Sequence, residues 1–463
     1  MKTIGKFILA AISMATAVSC AKENPFESNP DEGLRFITAT MSTVAQKTTL
    51  EGVTPIWAVG DKLLLLNTIG SQEIEVIEGS GKPEVGKAYV NGNTLTIATD
   101  LDGALYGVYP STATTAKSVT TSSLPIIIPG VQDGSFASAN ICVAKASGNT
   151  LPFKNATSVL KFTQNTAAVN NFFLLASAGI TGNIEVSCDE PVSVTTPANK
   201  GVNVVCGTGK KDIYVAVAPG TITNIVAMTD SKYQTRTFGD GGVTVTVNDL
   251  CTVCNFDEGW SFSNNLYEEI GGIKWATINI GATKPEEGGY YFSWGNTDGH
   301  WLNGVSDGYG FSQADYDATK VSTFETDLTA EYDAACINWG GKWRMPTRSE
   351  IDNLMAVAKS KSNATWDNDI KTVTIKNSDD DHQIVVYAGG YIVDSAAKNA
   401  RQYVRLLAST TGELAEGETI PSTGWRFSAE YSSSKKTLSF NTKAGGRLNG
   451  LNVRPVYDSS ATE

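Results

Sequence analysis

Histidine is nearly absent from this chain of 463 residues, since His300 and His382 are its two examples. This scarcity excludes a histidine-rich metal centre. Basic residues are also outnumbered, with 36 Lys and Arg against 48 Asp and Glu and a formal net charge of −12. Such a chain lacks the basic surface that is typical of nucleic-acid-binding proteins and of proteins held on anionic membranes by polybasic segments.

Cysteine is too sparse for a disulfide framework. Seven cysteines are spread over the whole length, whereas disulfide-stabilised secreted domains concentrate many in a short chain. Cys251 and Cys254 have the CxxC spacing, but no second CxxC accompanies them, which argues against a zinc site. A local disulfide and buried free thiols are the two remaining interpretations of this pair.

Long apolar runs are absent beyond the first twenty residues. The run over 7–18 follows two lysines and is shorter than the ~20 residues that a membrane-spanning helix needs, so it predicts a secretory signal peptide over 1–19. Its end resembles a bacterial lipobox, with the residues Ala17, Val18, Ser19 and Cys20. We expect a lipid on Cys20, a polar tether over 20–33, and a surface-exposed protein held on the cell outer membrane by that lipid alone. An ordinary signal peptide with a chance cysteine is the alternative.

Short strand-like runs separated by turn residues recur through residues 34–258. Apolar and polar residues alternate with a period of two in 214–217 and 243–247, as in half-buried strands. Asn91-Gly92 lies between β-forming residues and is a strong hairpin signal, because both residues accept positive φ. This pattern predicts two β-sandwiches, which we place at 34–150 and 151–258.

A series of short motifs in this part resembles the fimbrillin-like proteins of the Bacteroidales. In order along the chain they are Trp57-Ala58-Val59-Gly60-Asp61, Tyr109-Pro110, Pro129-Gly130-Val131-Gln132, Leu151-Pro152-Phe153-Lys154-Asn155, Ser158-Val159-Leu160-Lys161-Phe162, Ile180-Thr181-Gly182-Asn183 and Val217-Ala218-Pro219-Gly220. The resemblance implies two transthyretin-like sandwiches and a role in pili or at the cell surface.

Stalk subunits of that family assemble by strand exchange, which the resemblance extends to this chain. A protease removes the first strand, and a neighbouring pilin subunit fills the open groove with a strand of its own, which is a form of β-augmentation. The matching first strand here is 34–41. Trypsin-like cleavage is expected after Lys47 or, as a second choice, after Arg35. The alternative is an uncleaved lipoprotein that keeps this strand.

Residues 259–463 have a different composition from the rest. Eight of the nine tryptophans lie at or beyond Trp260. An apolar stripe over 332–339 predicts a helix that Gly340-Gly341 ends, and Thr347 with Glu350 forms the capping box of a second helix. The other segments are strand-like, so we expect an α+β domain. Arg344 and Arg454 are interpreted as structural residues held by a salt bridge or a cation–π contact.

This part resembles a family of bacterial surface domains named for major paralogues in Fibrobacter, over about residues 266–458. The residues that carry the resemblance are Trp275-Ala276-Thr277-Ile278-Asn279-Ile280-Gly281-Ala282, Gly289-Tyr290-Tyr291-Phe292-Ser293-Trp294-Gly295, Asp333-Ala334-Ala335, Trp339-Gly340-Gly341-Lys342-Trp343-Arg344-Met345-Pro346-Thr347, Glu350 and Gly450-Leu451-Asn452-Val453-Arg454-Pro455-Val456. The resemblance implies a C-type-lectin-like fold, so the whole chain is expected to contain two transthyretin-like sandwiches followed by an α+β lectin-like domain.

A fold of this type does not fix a function, and three interpretations remain. Calcium-dependent sugar binding is disfavoured, because Trp366-Asp367-Asn368-Asp369 has no Glu-Pro-Asn or Gln-Pro-Asp tripeptide to accompany it. A formylglycine-generating enzyme is disfavoured because it needs a cysteine pair and this domain has Cys336 alone beyond residue 259. The third interpretation is a recognition surface without metal or cofactor, for a glycan or a protein receptor.

Aromatic and acidic residues in and beside the insertion-like stretch 296–316 suit that recognition surface. The candidate ligand-binding residues are Trp294, Asp298, His300, Trp301, Asp307 and Tyr309. Aromatic rings stack on sugars or grip protein loops, and neighbouring carboxylates accept hydrogen bonds from hydroxyl groups. The alternative is a packed loop whose aromatic rings complete the core.

The sequence therefore predicts a pilus tip subunit or adhesin and not an enzyme. It would accept a strand from another pilin subunit, whereas its last strand-like segment lies inside a folded module and would not be donated. A non-polymerising, glycan-binding surface lipoprotein and a fimbrial anchor or accessory subunit are the alternatives.

Overall fold

The structure, a computed structural model, describes residues 34–41, 45–46, 57–189, 193–239, 241–300, 327–360, 363–378, 381–393, 396–413 and 422–460. These residues form eight sheets and few helices, which confirms the prediction of a chain dominated by β-structure. Five residues with predicted roles lie outside these ranges, namely Cys20, Lys47, Trp301, Asp307 and Tyr309.

Strands β1–β21 belong to the part of the chain before residue 258. Their bounds are β1 Arg35–Met41, β2 Ala45–Gln46, β3 Lys62–Leu66, β4 Ser71–Ile77, β5 Lys87–Asn91, β6 Thr94–Thr99, β7 Tyr106–Tyr109, β8 Ser123–Ile128, β9 Val131–Gln132, β10 Cys142–Lys145, β11 Thr150–Asn155, β12 Ser158–Thr163, β13 Asn171–Ala176, β14 Gly182–Ser187, β15 Ser193–Val194, β16 Gly201–Val205, β17 Asp212–Val217, β18 Gly220–Met228, β19 Lys232–Thr237, β20 Val243–Val245 and β21 Asp249–Asn255. A short helix α1, Phe136–Ala139, and a 3₁₀ turn, Ser111–Ala113, interrupt them.

Strands β22–β36 belong to the rest of the chain. Their bounds are β22 Asn264–Asn265, β23 Tyr267–Ile270, β24 Ile273–Ala276, β25 Tyr291–Phe292, β26 Trp343–Arg344, β27 Ala364–Asp367, β28 Thr372–Lys376, β29 Gln383–Tyr387, β30 Tyr391–Val393, β31 Ala396–Lys398, β32 Tyr403–Thr411, β33 Thr423–Ser432, β34 Thr437–Gly446, β35 Leu451–Asn452 and β36 Val456–Tyr457. The helical elements here are a 3₁₀ turn, Ala330–Tyr332, and the helices α2, Ala334–Trp339, and α3, Arg348–Lys359.

The first unit is a closed sheet of eight strands in the order β1-β11-β10-β7-β3-β4-β5-β6, in which β6 pairs back with β1. The predicted Asn-Gly hairpin is confirmed between β5 and β6, where Asn91 pairs with Thr94 and Gly92 has φ of 60°. Inside the sheet, Trp57 is buried and meets Tyr109 and Phe153 edge to face, with ring centroids 5.3 and 5.5 Å away.

The second unit contains three sheets, β17-β12-β21-β2, β15-β14-β8 and β22-β19-β18-β13-β16-β9, with β20 added to β18. Two of its strands, β8 and β9, come from the chain segment that lies between strands of the first unit. Conversely, β11 closes the first sheet and straddles the division that the sequence predicts near residue 150. The chain thus crosses more than once between the first two units.

The C-terminal unit combines the sheets β23-β24-β36-β26, β25-β35-β32-β33-β34, β27-β28-β29 and β30-β31 with the helices α2 and α3. Asp333 caps α2, since its carboxylate accepts the backbone N–H groups of Ala335 and Cys336 at 2.7 and 3.0 Å. Gly340, with φ of 64°, ends this helix as expected. The capping box of α3 is confirmed, because both of its reciprocal bonds between Thr347 and Glu350 are present.

A single apolar core joins the second unit to the C-terminal unit. Phe173 and Val226 of the second unit pack in one cluster with Trp294, Trp339 and Leu451 of the C-terminal unit. Strand β22 continues the sheet of the second unit through its pairing with β19. Because the apolar contacts are shared, the two units have a fixed relative position.

No disulfide joins Cys251 to Cys254, which argues against the first of the two interpretations of this pair. Both residues are half-buried. Burial raises the pKa of the Cys254 thiol to about 12, which keeps it protonated and unreactive at neutral pH.

No helix among the described residues is both long and apolar enough to cross a membrane.

Candidate functional site

Strand β1 is enclosed by two neighbours of the closed sheet. It runs antiparallel to β6 and parallel to β11. Its inward side chains Ile37 and Ala39 are 1% and 0% exposed, whereas Thr38 between them is exposed. Burial of alternate side chains and pairing on both edges make β1 an integral part of the first unit. Its removal would leave an apolar groove with two unpaired strand edges.

The two ends of this segment are fixed in different ways. At its start, the Arg35 guanidinium donates to the carbonyl oxygens of Leu101 and Gly103 at 3.3 and 2.9 Å, and the side chain is half-buried. After it, β2 pairs in parallel with β21 of the second unit. The segment therefore contacts both β units.

A cleft of about 510 Å³ lies between the second unit and the C-terminal unit. Two predicted ligand-binding residues, Asp298 and His300, line it together. The backbone of His300 is paired with that of Tyr291 by two hydrogen bonds of 3.0 and 3.1 Å, which fixes the position of this wall.

The opposite wall of the cleft comes from the second unit. The Asn199 side chain donates to the Gly299 carbonyl at 3.4 Å and accepts the Tyr290 hydroxyl, also at 3.4 Å. The cleft therefore exists through contacts between residues about a hundred positions apart.

Both apolar and polar groups line the cleft. Ile337 of α2 contributes a side chain that is 37% exposed. Asp298 lines the cleft with an exposed side chain. Apolar surface with a few oriented carboxylate, amide and imidazole groups can bind a small polar ligand or a peptide loop.

Trp294 lies away from this cleft. Its side chain is fully buried, and its indole N–H donates to the carbonyl oxygen of Ser409 at 3.1 Å. It packs so closely on Gly424 that a Cβ there would lie 2.6 Å from the indole ring. In this structure Trp294 is part of the core.

The segment that the sequence compares with a calcium-binding strand spans the end of β27 and the turn that follows it. Trp366 stacks on Tyr431 with ring centroids 4.6 Å apart. The Asp367 carboxylate accepts the backbone N–H groups of Asp369 and Ile370 at 2.8 and 3.1 Å. These contacts give the Trp366 ring and the Asp367 carboxylate structural roles.

Arg344 and Arg454 are structural residues, as predicted, but they are held differently. Arg344 forms a two-pronged salt bridge with Glu350 at 2.7 and 2.8 Å, which confirms the predicted ion pair. Arg454 is fully buried and has neutral acceptors, namely the Asn279 side chain at 2.6 Å and the carbonyl oxygens of Ala276 and Val385 at 2.9 Å each. A salt bridge for Arg454 is therefore wrong, because three oriented oxygens replace the carboxylate.

Sequence reasoning missed the contribution of the second unit to the cleft. Asn199 and Thr181 lie outside the named strands of the second unit, and nothing in their local sequence distinguishes them as site residues. Ile337 is an exposed isoleucine on a short helix, which is a weak signal for a contact surface. Contacts between distant segments created the site.

Comparisons with known proteins give distant similarities. No family model and no curated protein matches this chain. A solved structure of a candidate cell adhesion protein from Bacteroides ovatus ATCC 8483 is 14% identical over 48% of this chain and 91% of its own length, with a TM-score of 0.29. A second candidate cell adhesion protein, from Bacteroides fragilis NCTC 9343, is 10% identical over 49% of this chain and 97% of its own length, with a TM-score of 0.22.

Proposed function

We propose that this protein is a surface-exposed fimbrial subunit, assembled by β-strand exchange, that presents its C-terminal unit for recognition. The position of β1 supports this most directly. This strand is paired on both edges and fills apolar slots with Ile37 and Ala39. Cleavage after Lys47 would separate it from the rest of the chain. The groove left behind would accept a strand from another pilin subunit.

The position we propose for this subunit is the pilus tip. Strand β36 is held within its own unit, between β24 and β26. Its residues Val456 and Tyr457 are paired with Trp275, Arg344 and Trp343. A strand engaged in this way is not free to complete a neighbour's sheet, so a subunit that accepts a strand without donating β36 would end a filament.

We assign the fimbrillin-like motifs to two transthyretin-like sandwiches and the C-terminal motifs to a C-type-lectin-like domain. Pairing of β36 with β24 supports a closed C-terminal module, because it joins the first and last parts of that unit. The cleft lined by Asp298 and His300 is the surface that would bind a glycan or a protein receptor. The proposed role is binding, without catalysis and without a cofactor. Lipid on Cys20 would hold the precursor on the cell outer membrane.

The experiment is strand capture by the trimmed protein. Full-length protein is cleaved with trypsin under native conditions, and the released segment is separated. A fluorescent peptide with the sequence of residues 34–46 is then added. We expect stable capture, measured by fluorescence anisotropy, because the peptide restores the pairing with β6 and β11.

Two altered peptides serve as matched controls. The peptide with Ile37→Asp places a charge in a buried slot and should not be captured, whereas Thr38→Asp alters an exposed position and should be. Equal behaviour of the three peptides, or failure of the natural peptide, would exclude strand exchange at this groove. Immunogold labelling of filaments then distinguishes a subunit at the filament tip from one at the base. Intact surface protein without filaments would favour the glycan-binding lipoprotein.

A further inference from the structure

Strand β8 places an isoleucine in the cleft between the second unit and the C-terminal unit. Ile126 and Ile128 are fully buried in an apolar core, so the side chain of Ile127 between them lies on the opposite side of the strand. Ile127 is half-buried and pairs with Asn183 of β14, and both residues line the cleft. Packing in the core explains the two buried isoleucines but not Ile127.

Apolar side chains reach the cleft from other elements as well. Val131 of β9 and Ile337 of α2 also line it. Ile337 is 37% exposed, although isoleucine is among the residues that are most often buried. Because Val131 belongs to the second unit and Ile337 to the C-terminal unit, the cleft has aliphatic surface from both units, which suits an apolar side chain of a ligand.

The cleft is open to solvent. Its exposed lining residues are Pro129, Asn183 and Ala198 of the second unit and Asp298 and Ile337 of the C-terminal unit. Its volume of about 510 Å³ lies within the range of roughly 300–1,000 Å³ that is usual for ligand sites. A ligand in solution can therefore reach the aliphatic side chains.

Tyr290 gives the cleft no aromatic surface on which a sugar ring could stack. It is the single tyrosine, tryptophan or phenylalanine among the described lining residues, and it is 1% exposed. Phe173 packs edge to face with its ring at a centroid distance of 5.6 Å. A Cβ at Gly299 would lie 2.7 Å from the same ring. Since both contacts enclose the ring, the accessible apolar surface is aliphatic, which favours a protein ligand over a glycan.

Asp298 gives the cleft a negative charge. It is the single Asp, Glu, Lys or Arg among the described lining residues. Its side chain is exposed, and within the described ranges its carboxylate has no ion pair and no hydrogen-bond donor. The net charge of −12 on the whole chain adds to the attraction for a cationic ligand. A lysine or arginine of a ligand would therefore find a counter-ion here.

We infer that the cleft binds an extended segment of a second protein that carries aliphatic side chains next to a lysine or arginine. The aliphatic side chains lie against Ile127, Val131 and Ile337, and the cation pairs with Asp298. This inference rests on the proposed recognition role, for which it names the class of partner. It does not depend on strand exchange at β1.

The test uses the full-length protein and an array of short synthetic peptides. The peptides combine isoleucine, serine, lysine and glutamate in all orders, so that each has a known pattern of apolar and charged residues. We expect the protein to retain peptides with isoleucine beside lysine, and not those in which serine replaces isoleucine or glutamate replaces lysine. Fluorescence anisotropy then measures the Kd of the peptide that is retained best.

Two pairs of variants test the contacts. Asp298→Lys should raise this Kd roughly tenfold and shift retention toward peptides with glutamate, whereas Asp369→Lys, at an exposed position outside the cleft, should do neither. Ile127→Ser should raise the Kd several-fold, and Ile370→Ser, also outside the cleft, should not. Thermal melting checks that the variants fold. If Ile127→Ser is unfolded, the exposed Asp298 and its control decide alone.

The outcomes separate this inference from the proposed function. Retention of glutamate-containing or purely polar peptides, or equal effects of Asp298→Lys and Asp369→Lys, would overturn the inference. Glycans that bind the natural protein but not Ile337→Lys, with no peptide retained, would also overturn it and leave the cleft as the recognition surface. Absence of both peptide and glycan binding would exclude the recognition role itself. Strand capture by the trimmed protein is a separate measurement that none of these results changes.

Discussion

The side-chain amide of Asn203 donates to the side-chain oxygen of Asn338 at 2.8 Å, across the boundary between the second unit and the C-terminal unit. Both residues are buried. Close by, the Asn171 side chain donates to the Trp339 carbonyl at 2.8 Å. These bonds fix α2 against β13 and β16 within the shared apolar core. The C-terminal unit is thus rigidly mounted on the second β unit.

This relationship predicts coupled stability of the two units. Asn203→Ala and Asn338→Ala should each destabilise the protein, and the double variant should lose less than the sum. We expect a coupling free energy of about 1–2 kcal/mol, because the two side chains are in direct contact. Urea unfolding monitored by tryptophan fluorescence measures it. Strict additivity of the two effects would show that the bond does not couple the units.

Two neighbouring positions in β1 of the closed first sheet should differ in how much a charged residue lowers the free energy of unfolding. Ile37→Asp introduces a carboxylate at a position that is 1% exposed and should lower the free energy of unfolding by about 3–5 kcal/mol. Thr38→Asp, one residue along at an exposed position, should change it by less than about 0.5 kcal/mol. Chemical unfolding of the two full-length variants provides the comparison. Similar effects would mean that β1 is not packed as described.

We expect a macromolecular ligand that occupies the cleft to contact Ile337. Ile337→Lys should abolish binding of any glycan or receptor that occupies the cleft, because a long charged side chain would replace an apolar contact there. Ile370→Lys is the matched control, since Ile370 is also an exposed isoleucine but does not line the cleft. A glycan array probed with both full-length variants, with and without chelator, gives the readout. Equal binding by both would exclude the cleft.

The hydrogen bonds to Asp257 should make the stability of the protein depend on pH in a defined direction. Backbone N–H groups of Ala167 and Thr166 donate to its carboxylate at 2.6 and 2.9 Å and lower its pKa to about 2. The stabilisation is fully present above the ordinary pKa of 3.8 and is lost as the pH falls through about 2. Carboxyl chemical shifts in an NMR titration should therefore show a midpoint near pH 2.

The Asp257→Asn variant checks the same point through stability. It should unfold more easily than the natural protein at pH 6, and the difference should shrink between pH 4 and pH 2, where the natural carboxylate becomes protonated. A difference that stays constant over this range would show that the carboxylate charge is not stabilised by the three-residue loop 165–167.

Local sequence patterns predicted local structure well. The Asn-Gly hairpin, the capping box at Thr347 and the end of α2 at Gly340 are all present. Each depends on interactions within a few residues, so the pattern contains all the information that the structure needs. The abundance of β-forming residues indicated a β-rich chain, and the acidic composition argued against a nucleic-acid-binding protein.

The candidate sites depended on contacts between distant segments. Asp298 and His300 are two of the six candidates that the sequence offers, but the wall that faces them comes from Asn199, about a hundred residues earlier. Trp294 has the sequence context of a contact residue and is buried in the core. Burial is decided by what packs against a side chain, which a single sequence does not specify.

The sequence by itself determined the β-rich class, the local turns and caps, and the residue types available for recognition. The tertiary structure decided that β1 completes a closed sheet, that the second and C-terminal units share one core, and that Trp294 is buried in that core. The physical reason is the range of the interactions: caps and turns are formed by neighbours in sequence, whereas grooves, clefts and shared cores arise where segments far apart in the chain meet.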